Sequence, residues 1–232
     1  MNNDEYLGES YNPGDSHYRA YVGPPIDYDL IAAMVFNLLT SVGLKQHHKL
    51  IDVGCGSLRL GRLLLPYLNK ENYIGIEPNK WLVEDGIINE VGQSLIDVKK
   101  PQFIFDTDLK NINSTLQADF VVAQSIFSHC GNDLLLEWFI DLFENTNEES
   151  LSLVTFIEGE NDCSQNGWIY PGCVSYTEDY IKKLASDVGF RYIKLNWFHP
   201  RQQWVALIKG CKTHYFEDNE GEVSWNLQNA KL

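Results

Sequence analysis

Two glycines and one glutamate have types and spacing that suit a ligand site at the end of predicted strands. Gly54 and Gly56 lie between a short apolar run, Lys49–Val53, and a stretch with helical spacing. Glycines there let the backbone approach a ligand, and the following helix N-terminus presents free N–H groups. Glu77 ends the next apolar run, 23 residues after Gly54. A carboxylate there can accept both hydroxyls of a ribose, so the pattern predicts a cofactor that contains adenosine.

Two kinds of cofactor fit this geometry, a nicotinamide dinucleotide and S-adenosylmethionine (SAM). Dinucleotide-binding turns follow the pattern G-x-G-x-x-G, but this chain has Arg59 at the third glycine position. The arginine side chain opposes close helix–strand packing and the approach of a pyrophosphate. SAM carries no phosphate, and its sulfonium suits an acidic cleft. The turn therefore favours SAM.

The elements that must position these residues alternate along the chain. Strands are predicted at Lys49–Val53, Tyr73–Ile76, Phe103–Phe105, Phe120–Ala123, Leu151–Ile157, Phe190–Trp197 and Gln203–Lys209. Helices are predicted from a cap at Asp27 to about Ser41 and over Arg59–Leu68, Lys80–Val91, Asn132–Phe143 and Glu178–Val188. Such alternation predicts a parallel sheet with helices on both faces. The last two strands have only a short connection, which requires an antiparallel pair.

Four segments resemble, in order, the four sequence motifs of class I SAM-dependent methyltransferases: Ile51–Ser57, Tyr73–Pro78, Phe105–Asp108 and Ala118–Ser125. The resemblance covers roughly residues 27 to 209. It implies an α/β, Rossmann-like fold with a doubly wound, seven-stranded, mostly parallel sheet that ends in a C-terminal antiparallel hairpin. It also implies a single methyltransferase domain over 1–232, with an N-terminal lid and helix (1–44), a SAM-binding core (45–209) and a C-terminal tail (210–232).

The resemblance assigns the adenosine half of the cofactor to four residues. Glu77 would hold the ribose, and Pro78 would lie near the adenine. Asp106 would take the adenine amino group, with the Thr107 backbone nearby. Asp106 has an alternative structural role, because an aspartate at this point of the chain can also cap the next turn.

The methionine half of the cofactor is assigned by the same resemblance. Gly54 and Gly56 would face it, and Gln124 would border both the methionine and the site of methyl transfer. Asp52 would support the glycine turn or order a water molecule.

One departure from the family pattern affects this half. Many members have a third glycine where this chain has Leu58. Arg59 could then reach the methionine carboxylate, or it could be a solvated or structural helix arginine.

Methyl transfer from a sulfonium is an in-line displacement, for which a protein mainly supplies alignment and desolvation. A hydroxyl or ammonium acceptor also needs a base, and His129, in the loop after the fourth motif, is the best-placed candidate. A helix-capping or partly buried histidine is the structural alternative. Acceptor-binding candidates come from the N-terminal segment and from the long connection Glu158–Thr177: Tyr18, Tyr21, Trp168 and Tyr170.

Composition limits the partners and the compartment. The formal net charge of −14, without a basic run, disfavours nucleic acid. The longest apolar run, Leu30–Phe36, is too short to span a membrane, and the N-terminal sequence does not resemble a signal peptide. Five cysteines without a C-x-x-C pair indicate reduced thiols and no metal site. We therefore expect a cytoplasmic protein, and a homodimer remains one possible oligomeric state.

These observations favour an enzyme that methylates an oxygen or nitrogen atom of a small molecule. Three alternatives remain. One is a protein or RNA methyltransferase, which would have an open cleft. Another is a non-catalytic SAM-binding subunit of the same fold. The third is a nicotinamide oxidoreductase, which Arg59 and the terminal hairpin oppose.

Overall fold

One twisted β-sheet organises the chain. The computed structural model describes residues 7–107 and 118–209. Asp108, Cys211 and the expected tail 210–232 lie outside the described residues. The strands are β1 (Leu50–Val53), β2 (Tyr73–Ile76), β3 (Gln102–Ile104), β4 (Phe120–Ala123), β5 (Leu151–Glu158), β6 (Ser175–Tyr176), β7 (Arg191–Leu195) and β8 (Gln203–Ile208).

The strand order is β3-β2-β1-β4-β5-β8-β7, and the two-residue β6 pairs with the end of β5. Strand β8 runs antiparallel to both of its neighbours, whereas β3, β2, β1, β4 and β5 are paired in parallel. The seven strands of the main path and the antiparallel C-terminal pair confirm the predicted fold class. Every residue of β1, β2 and β4 is buried, as expected for strands covered on both faces.

Helices cover the two faces of the sheet. They are α1 (Tyr28–Ser41), α2 (Gly61–Tyr67), α3 (Lys80–Gly86), α4 (Gln93–Lys99), α5 (Asn132–Glu144) and α6 (Glu178–Val188), with a π-helical turn at Ile87–Val91 and short 3₁₀ turns at Pro25–Asp27 and Phe127–His129. Side chains of α1 and α2 form one hydrophobic cluster against the sheet, and those of α5 and α6 form the other. None of the helices in the described part of the chain has the length and apolar content to cross a bilayer.

Three local predictions need correction. The helix expected over Arg59–Leu68 begins at Gly61, because the backbone at Leu58 is left-handed. The helix expected over Lys80–Val91 changes from α to π geometry after Gly86. Asp27 does precede α1, but its carboxylate makes no capping bond and instead accepts a hydrogen bond from Arg201.

Candidate active site

The glycine turn lies at the carboxyl end of β1. Gly54 and Gly56 have φ of +67° and +52°, a conformation that side chains rarely adopt. A Cβ on Gly54 would lie 2.1 Å from Ile126 Cδ1, and one on Gly56 would lie 2.6 Å from Val22 Cγ1. The turn thus packs against the segment after β4 on one side and against the N-terminal segment on the other, which only glycine permits.

Leu58 has a left-handed backbone at the position where the family pattern has a third glycine. Its φ is +60°, and its side chain is fully buried in the cluster beneath α1 and α2. A left-handed leucine costs about 1–2 kcal/mol. Leu58 therefore combines a strained backbone with a buried side chain at the end of the glycine turn.

Glu77 faces the glycine turn across the gap between β1 and β2. One carboxylate oxygen accepts a hydrogen bond from the Gly56 N–H at 3.1 Å, and the other accepts from Asn79 N and Asn79 Nδ2 at 2.9 and 2.8 Å. Burial raises the pKa of this carboxyl, and the hydrogen bonds oppose that shift. These bonds fix the side chain at the cavity wall, where it can accept further donors.

The remaining residues predicted for adenosine lie at the same end of the cavity. Pro78, Asp106 and Thr107 all line it. The Asp106 carboxylate also accepts the backbone N–H of the adjacent Thr107 at 2.7 Å, and the turn that it could cap lies outside the described residues.

Asp52 lies behind the turn and does not line the main cavity. Its carboxylate accepts a hydrogen bond from Tyr73 Oη at 2.7 Å, and burial raises its pKa to about 7. A second cavity of about 20 Å³ separates it from Arg59 and Gln124. That volume accommodates one water molecule.

Arg59 and Gln124 contact each other at the glycine-turn end of the main cavity. The Arg59 guanidinium donates to Gln124 Oε1 and, at 2.8 Å, to the carbonyl of Val22. Burial lowers the pKa of Arg59 to about 10, so the side chain stays charged at neutral pH. Both residues line the cavity, and Arg59 is therefore a residue of the site and not a solvated helix arginine.

His129 lines the same cavity and is held by the long connection after β5. Its Nδ1 lies 2.7 Å from the carbonyl oxygen of Gly172, so Nδ1 carries the proton and Nε2 keeps a lone pair. Burial lowers the pKa of His129 below its usual value, which keeps the imidazole neutral. The rings of Trp168 and Tyr170 pack around it at 5.5 and 5.0 Å.

The connection itself is fixed to the segment that carries His129. Backbone bonds join Ile169 N to His129 O at 2.9 Å and Gly131 N to Gly167 O at 2.8 Å. Tyr170 Oη donates to the carbonyl of Tyr21, and both residues line the cavity. The Tyr21 ring also packs edge-on against Trp81. The connection and the N-terminal segment therefore meet at the cavity wall.

One cavity of about 510 Å³ joins these parts. Of the thirteen residues predicted for the site, eleven line it: Gly54, Gly56, Glu77, Pro78, Asp106, Thr107, Gln124, Tyr21, His129, Trp168 and Tyr170. Asp52 is one exception, and the other is Tyr18, which is buried and donates to Glu90 at 3.0 Å.

Sequence reasoning missed several residues of the cavity wall. They are Val22, Asn79, Cys173, Arg201 and Gln202. Asn79 could have been predicted from the sequence, because it closely follows Glu77. The others come from loops that only the folded chain brings to the site, and nothing in their local pattern marks them.

Solved methyltransferase structures share this architecture. Magnesium protoporphyrin IX methyltransferase (ChlM) from Synechocystis PCC 6803 with bound S-adenosylhomocysteine (SAH) superposes with a TM-score of 0.61 at 14% identity over 89% of this chain and 93% of that chain. The DhpI–SAH complex gives 0.61 at 10% identity over 90% and 97%. The pyocyanin biosynthetic protein PhzM gives 0.59 at 14% identity over 88% and 61%.

No family model matches this sequence, and no curated protein matches it. Because the structural identities are this low, the likeness concerns the fold. The chain has the class I methyltransferase fold, as the four sequence motifs predicted.

Proposed function

We propose that this protein is a SAM-dependent methyltransferase that methylates an oxygen or nitrogen atom of a small molecule. One observation carries the proposal. One cavity is lined both by the glycine turn with Glu77 and by the neutral imidazole of His129. The residues proposed for adenosine and the candidate base therefore share one cavity, as a group transfer requires.

The cofactor fits the residues of the glycine-turn end. The backbone of Gly54 and Gly56 lies at the cavity wall, and the Glu77 oxygen that accepts only the Gly56 N–H retains acceptor capacity for a ribose hydroxyl. No phosphate-binding arrangement is required, which agrees with Arg59 at the third position of the turn. ChlM has been solved with SAM and with SAH, and DhpI with SAH, which supports the same cofactor here. When bound, SAM supplies an activated methyl group.

His129 is proposed as the general base. Its Nδ1–H is committed to the Gly172 carbonyl, so Nε2 is the nitrogen that can accept a proton from the acceptor. The Trp168 and Tyr170 rings beside it offer flat apolar surfaces to the acceptor. Tyr21 completes this wall from the N-terminal side.

A small acceptor is favoured over a macromolecule. The hydrogen bond from Tyr170 to the Tyr21 carbonyl joins the long connection to the N-terminal segment at the cavity wall, whereas a protein or RNA substrate needs an open cleft. The strongly negative net charge also opposes an RNA substrate. Among solved structures of this fold, PhzM and the mitomycin 7-O-methyltransferase MmcR are described by small-molecule biosynthesis, although a ribosomal protein L11 methylase shares the fold.

Binding of SAH and of NAD, measured separately by isothermal titration calorimetry, tests the cofactor assignment. We expect SAH to bind and Glu77→Ala to abolish that binding, because the variant loses the ribose acceptor. Glu71→Ala, at an exposed position, is the matched control and should bind SAH as the wild type does. Binding of NAD in place of SAH would refute the proposal.

Methyl transfer to a metabolite mixture, followed with isotopically labelled SAM, distinguishes an enzyme from a SAM-binding subunit. Label should move from SAM into a low-molecular-mass product. A protein that binds SAH but labels nothing, alone or with a cell extract, would favour the non-catalytic alternative.

A further inference from the structure

In the described part of the chain, His129 has uncharged surroundings. Its pKa is lowered by burial and raised in part by the Gly172 carbonyl, and no charged side chain perturbs it. The titratable groups that face the ring are the thiol of Cys173, with Sγ 3.9 Å from Nδ1, and the phenol of Tyr170. This holds although four charged side chains line the same cavity: Arg59, Glu77, Asp106 and Arg201. His129 therefore has no neighbouring carboxylate that could balance a cation.

Tyr170 does not compete with His129 as a base. Its hydroxyl donates to the carbonyl of Tyr21, and burial raises its pKa to about 12, so the phenol stays protonated at neutral pH. His129 Nδ1 lies 2.7 Å from the Gly172 carbonyl oxygen and donates to it. Nε2 of His129, and not the Tyr170 oxygen, is therefore the group that can accept a proton.

The rings beside His129 favour a flat acceptor. The planes of Trp168 and Tyr170 differ by 22° and their centroids are 6.3 Å apart, so a flat molecule can lie parallel to both. The imidazole plane is inclined to these two planes by 56° and 75°. Its in-plane lone pair at Nε2 can therefore reach a group on the edge of such a molecule. Ile126 and Trp138 extend the apolar lining of the cavity, which suits an aromatic acceptor.

The acidity of the acceptor must suit a weak base. An imidazole whose pKa is lowered takes a proton readily only from a comparatively acidic group. The pKa of a phenolic hydroxyl is about 10, whereas that of an aliphatic hydroxyl is close to that of water, about 16. The equilibrium for proton transfer to His129 is therefore about 10⁶-fold more favourable from the aromatic hydroxyl.

An amine suits these surroundings less well. A neutral amine attacks through its own lone pair and needs no base beforehand, so the fixed Nε2 of His129 would have no function. An ammonium group would need the base. It would also place a positive charge beside the imidazolium that forms, without a carboxylate to balance the two charges.

We propose that the methyl acceptor is the hydroxyl of a planar aromatic molecule that stacks on Trp168 and Tyr170 and gives its proton to His129. This inference rests on the proposed function and narrows its acceptor. The O–H bond breaks as the proton passes to His129 Nε2, and an oxygen lone pair forms the bond to the methyl carbon. The bond from that carbon to sulfur breaks, and its electron pair stays on sulfur. The products are an aryl methyl ether, SAH and an imidazolium that releases its proton to solvent.

Three naphthalenes that differ in one group test the class of acceptor. They are naphthol, naphthylmethanol and naphthylmethylamine, each substituted at the same ring carbon. Each is titrated calorimetrically into the full-length protein saturated with SAH, and each is then offered to the protein together with labelled SAM. We expect naphthol to bind at least about tenfold more tightly than the ammonium compound. Its methylation should be at least about 10³-fold faster than that of naphthylmethanol.

Variants of the aromatic wall test where the acceptor binds. Trp168→Ala should weaken the binding of naphthol by at least about tenfold, because the stacking face is lost, whereas Trp168→Phe should keep it within about threefold. The affinity for SAH should not change in either variant, which also shows that both are folded. Leu136→Ala is the matched control, because it removes an exposed apolar side chain of α5 that does not line the cavity.

An acceptor that is already ionised tests the role of His129. In mildly alkaline buffer para-nitrophenol is largely ionised, so it needs no base. His129→Gln should therefore lower kcat/KM for naphthol by about 10² to 10⁴-fold, but that for para-nitrophenol by less than about tenfold. An equal loss for both compounds would show that His129 only maintains the structure of the site.

The outcomes separate this inference from the proposed function. If SAH does not bind, the cofactor assignment itself fails. If SAH binds and label passes to naphthylmethanol or naphthylmethylamine but not to naphthol, the methyltransferase stands and the aromatic hydroxyl is wrong. If none of the three naphthalenes binds the SAH complex, or if naphthol binds without being methylated, the inference is also overturned.

Discussion

At the scale of single residues, two buried carboxyl groups near the glycine turn have different environments. Glu77 accepts three hydrogen bonds from N–H groups and lines the cavity. Asp52 accepts one from Tyr73 and lies behind the turn, and its pKa is raised to about 7 by burial. We assign ligand binding to Glu77 and support of the turn to Asp52.

Asp52→Asn tests that assignment through the pH dependence of stability. A carboxyl whose pKa rises on folding stabilises the protein below its unfolded pKa, and that contribution is lost as the pH rises through about 7. The free energy of unfolding of the variant relative to the wild type should therefore increase by about 2 kcal/mol between pH 5 and pH 8. Urea unfolding at several pH values measures it. A difference independent of pH would contradict the raised pKa.

His129→Gln tests the proposed base. Because burial lowers the pKa of His129, the wild-type rate should fall on acidification only below 6.5, as the imidazole takes up a proton. The variant should not show this decrease in rate at acidic pH. Its kcat/KM should be about 10² to 10⁴-fold lower than that of the wild type, while its affinity for SAH should be unchanged. Once an acceptor is identified, rate profiles over pH measure both effects. If the rate of the variant still falls at acidic pH as that of the wild type does, His129 is not the general base.

At the scale of elements, the connection from β1 to α2 stores backbone strain at Leu58. Both Leu58→Ala and Leu58→Gly lose the buried side chain, but only glycine relieves the left-handed conformation. We expect the glycine variant to be more stable than the alanine variant by about 1 kcal/mol, the reverse of the usual order within a helix. Urea unfolding of the two variants, compared directly, measures the difference. The usual order would show that the turn relaxes in the variants.

The N-terminal segment is anchored by the π-helical turn after α3. The Glu90 carboxylate in that turn accepts hydrogen bonds from Arg19 Nη2 at 2.6 Å and Arg62 Nη1 at 3.1 Å, and its side chain is 4% exposed. Glu90→Gln should lower the free energy of unfolding by about 3–5 kcal/mol, because both arginines lose a buried counter-charge. It should also speed proteolysis within residues 7–25. The exposed ion pair of Lys183 and Asp187 provides the control, since Asp187→Asn should lower the free energy of unfolding by less than about 1 kcal/mol.

The elements were largely predictable because apolar periodicity follows burial, and every predicted strand occurs in the sheet. Strand β6 was missed because two residues carry no period. At the site, Glu77 was predictable because it ends a strand at a fixed distance from the turn. The positions of Gln202 and Arg201 in the cavity wall were not predictable, because only the strand order of the folded sheet brings the β7–β8 connection to the cavity.

At the scale of the molecule, the cavity lies where the strand order reverses. It is bounded by residues that follow β1, β2 and β4, where an open α/β sheet leaves a crevice. A ligand there bridges both halves of the sheet as well as the N-terminal segment. Cofactor binding should therefore stabilise the whole described fold and not one part of it.

Calorimetric melting with and without SAH tests this expectation. At a free concentration one hundred times its Kd, SAH should raise the free energy of unfolding by about 2.7 kcal/mol. For a chain of this size that corresponds to a rise in Tm of about 5–11 °C, which should reverse when SAH is dialysed away. A second transition that SAH leaves unmoved would show that part of the molecule unfolds independently.

The position of Trp168 gives the site a built-in optical reporter. The indole is 52% exposed and lies at the cavity wall beside His129 and Tyr170, whereas Trp204 is fully buried in the core. An acceptor that packs on Trp168 removes water from it, so its emission should move to shorter wavelength while that of Trp204 stays constant. Acceptor candidates can thus be ranked by fluorescence without radiolabel. Trp168→Phe is the control, because it lacks the indole whose emission should shift.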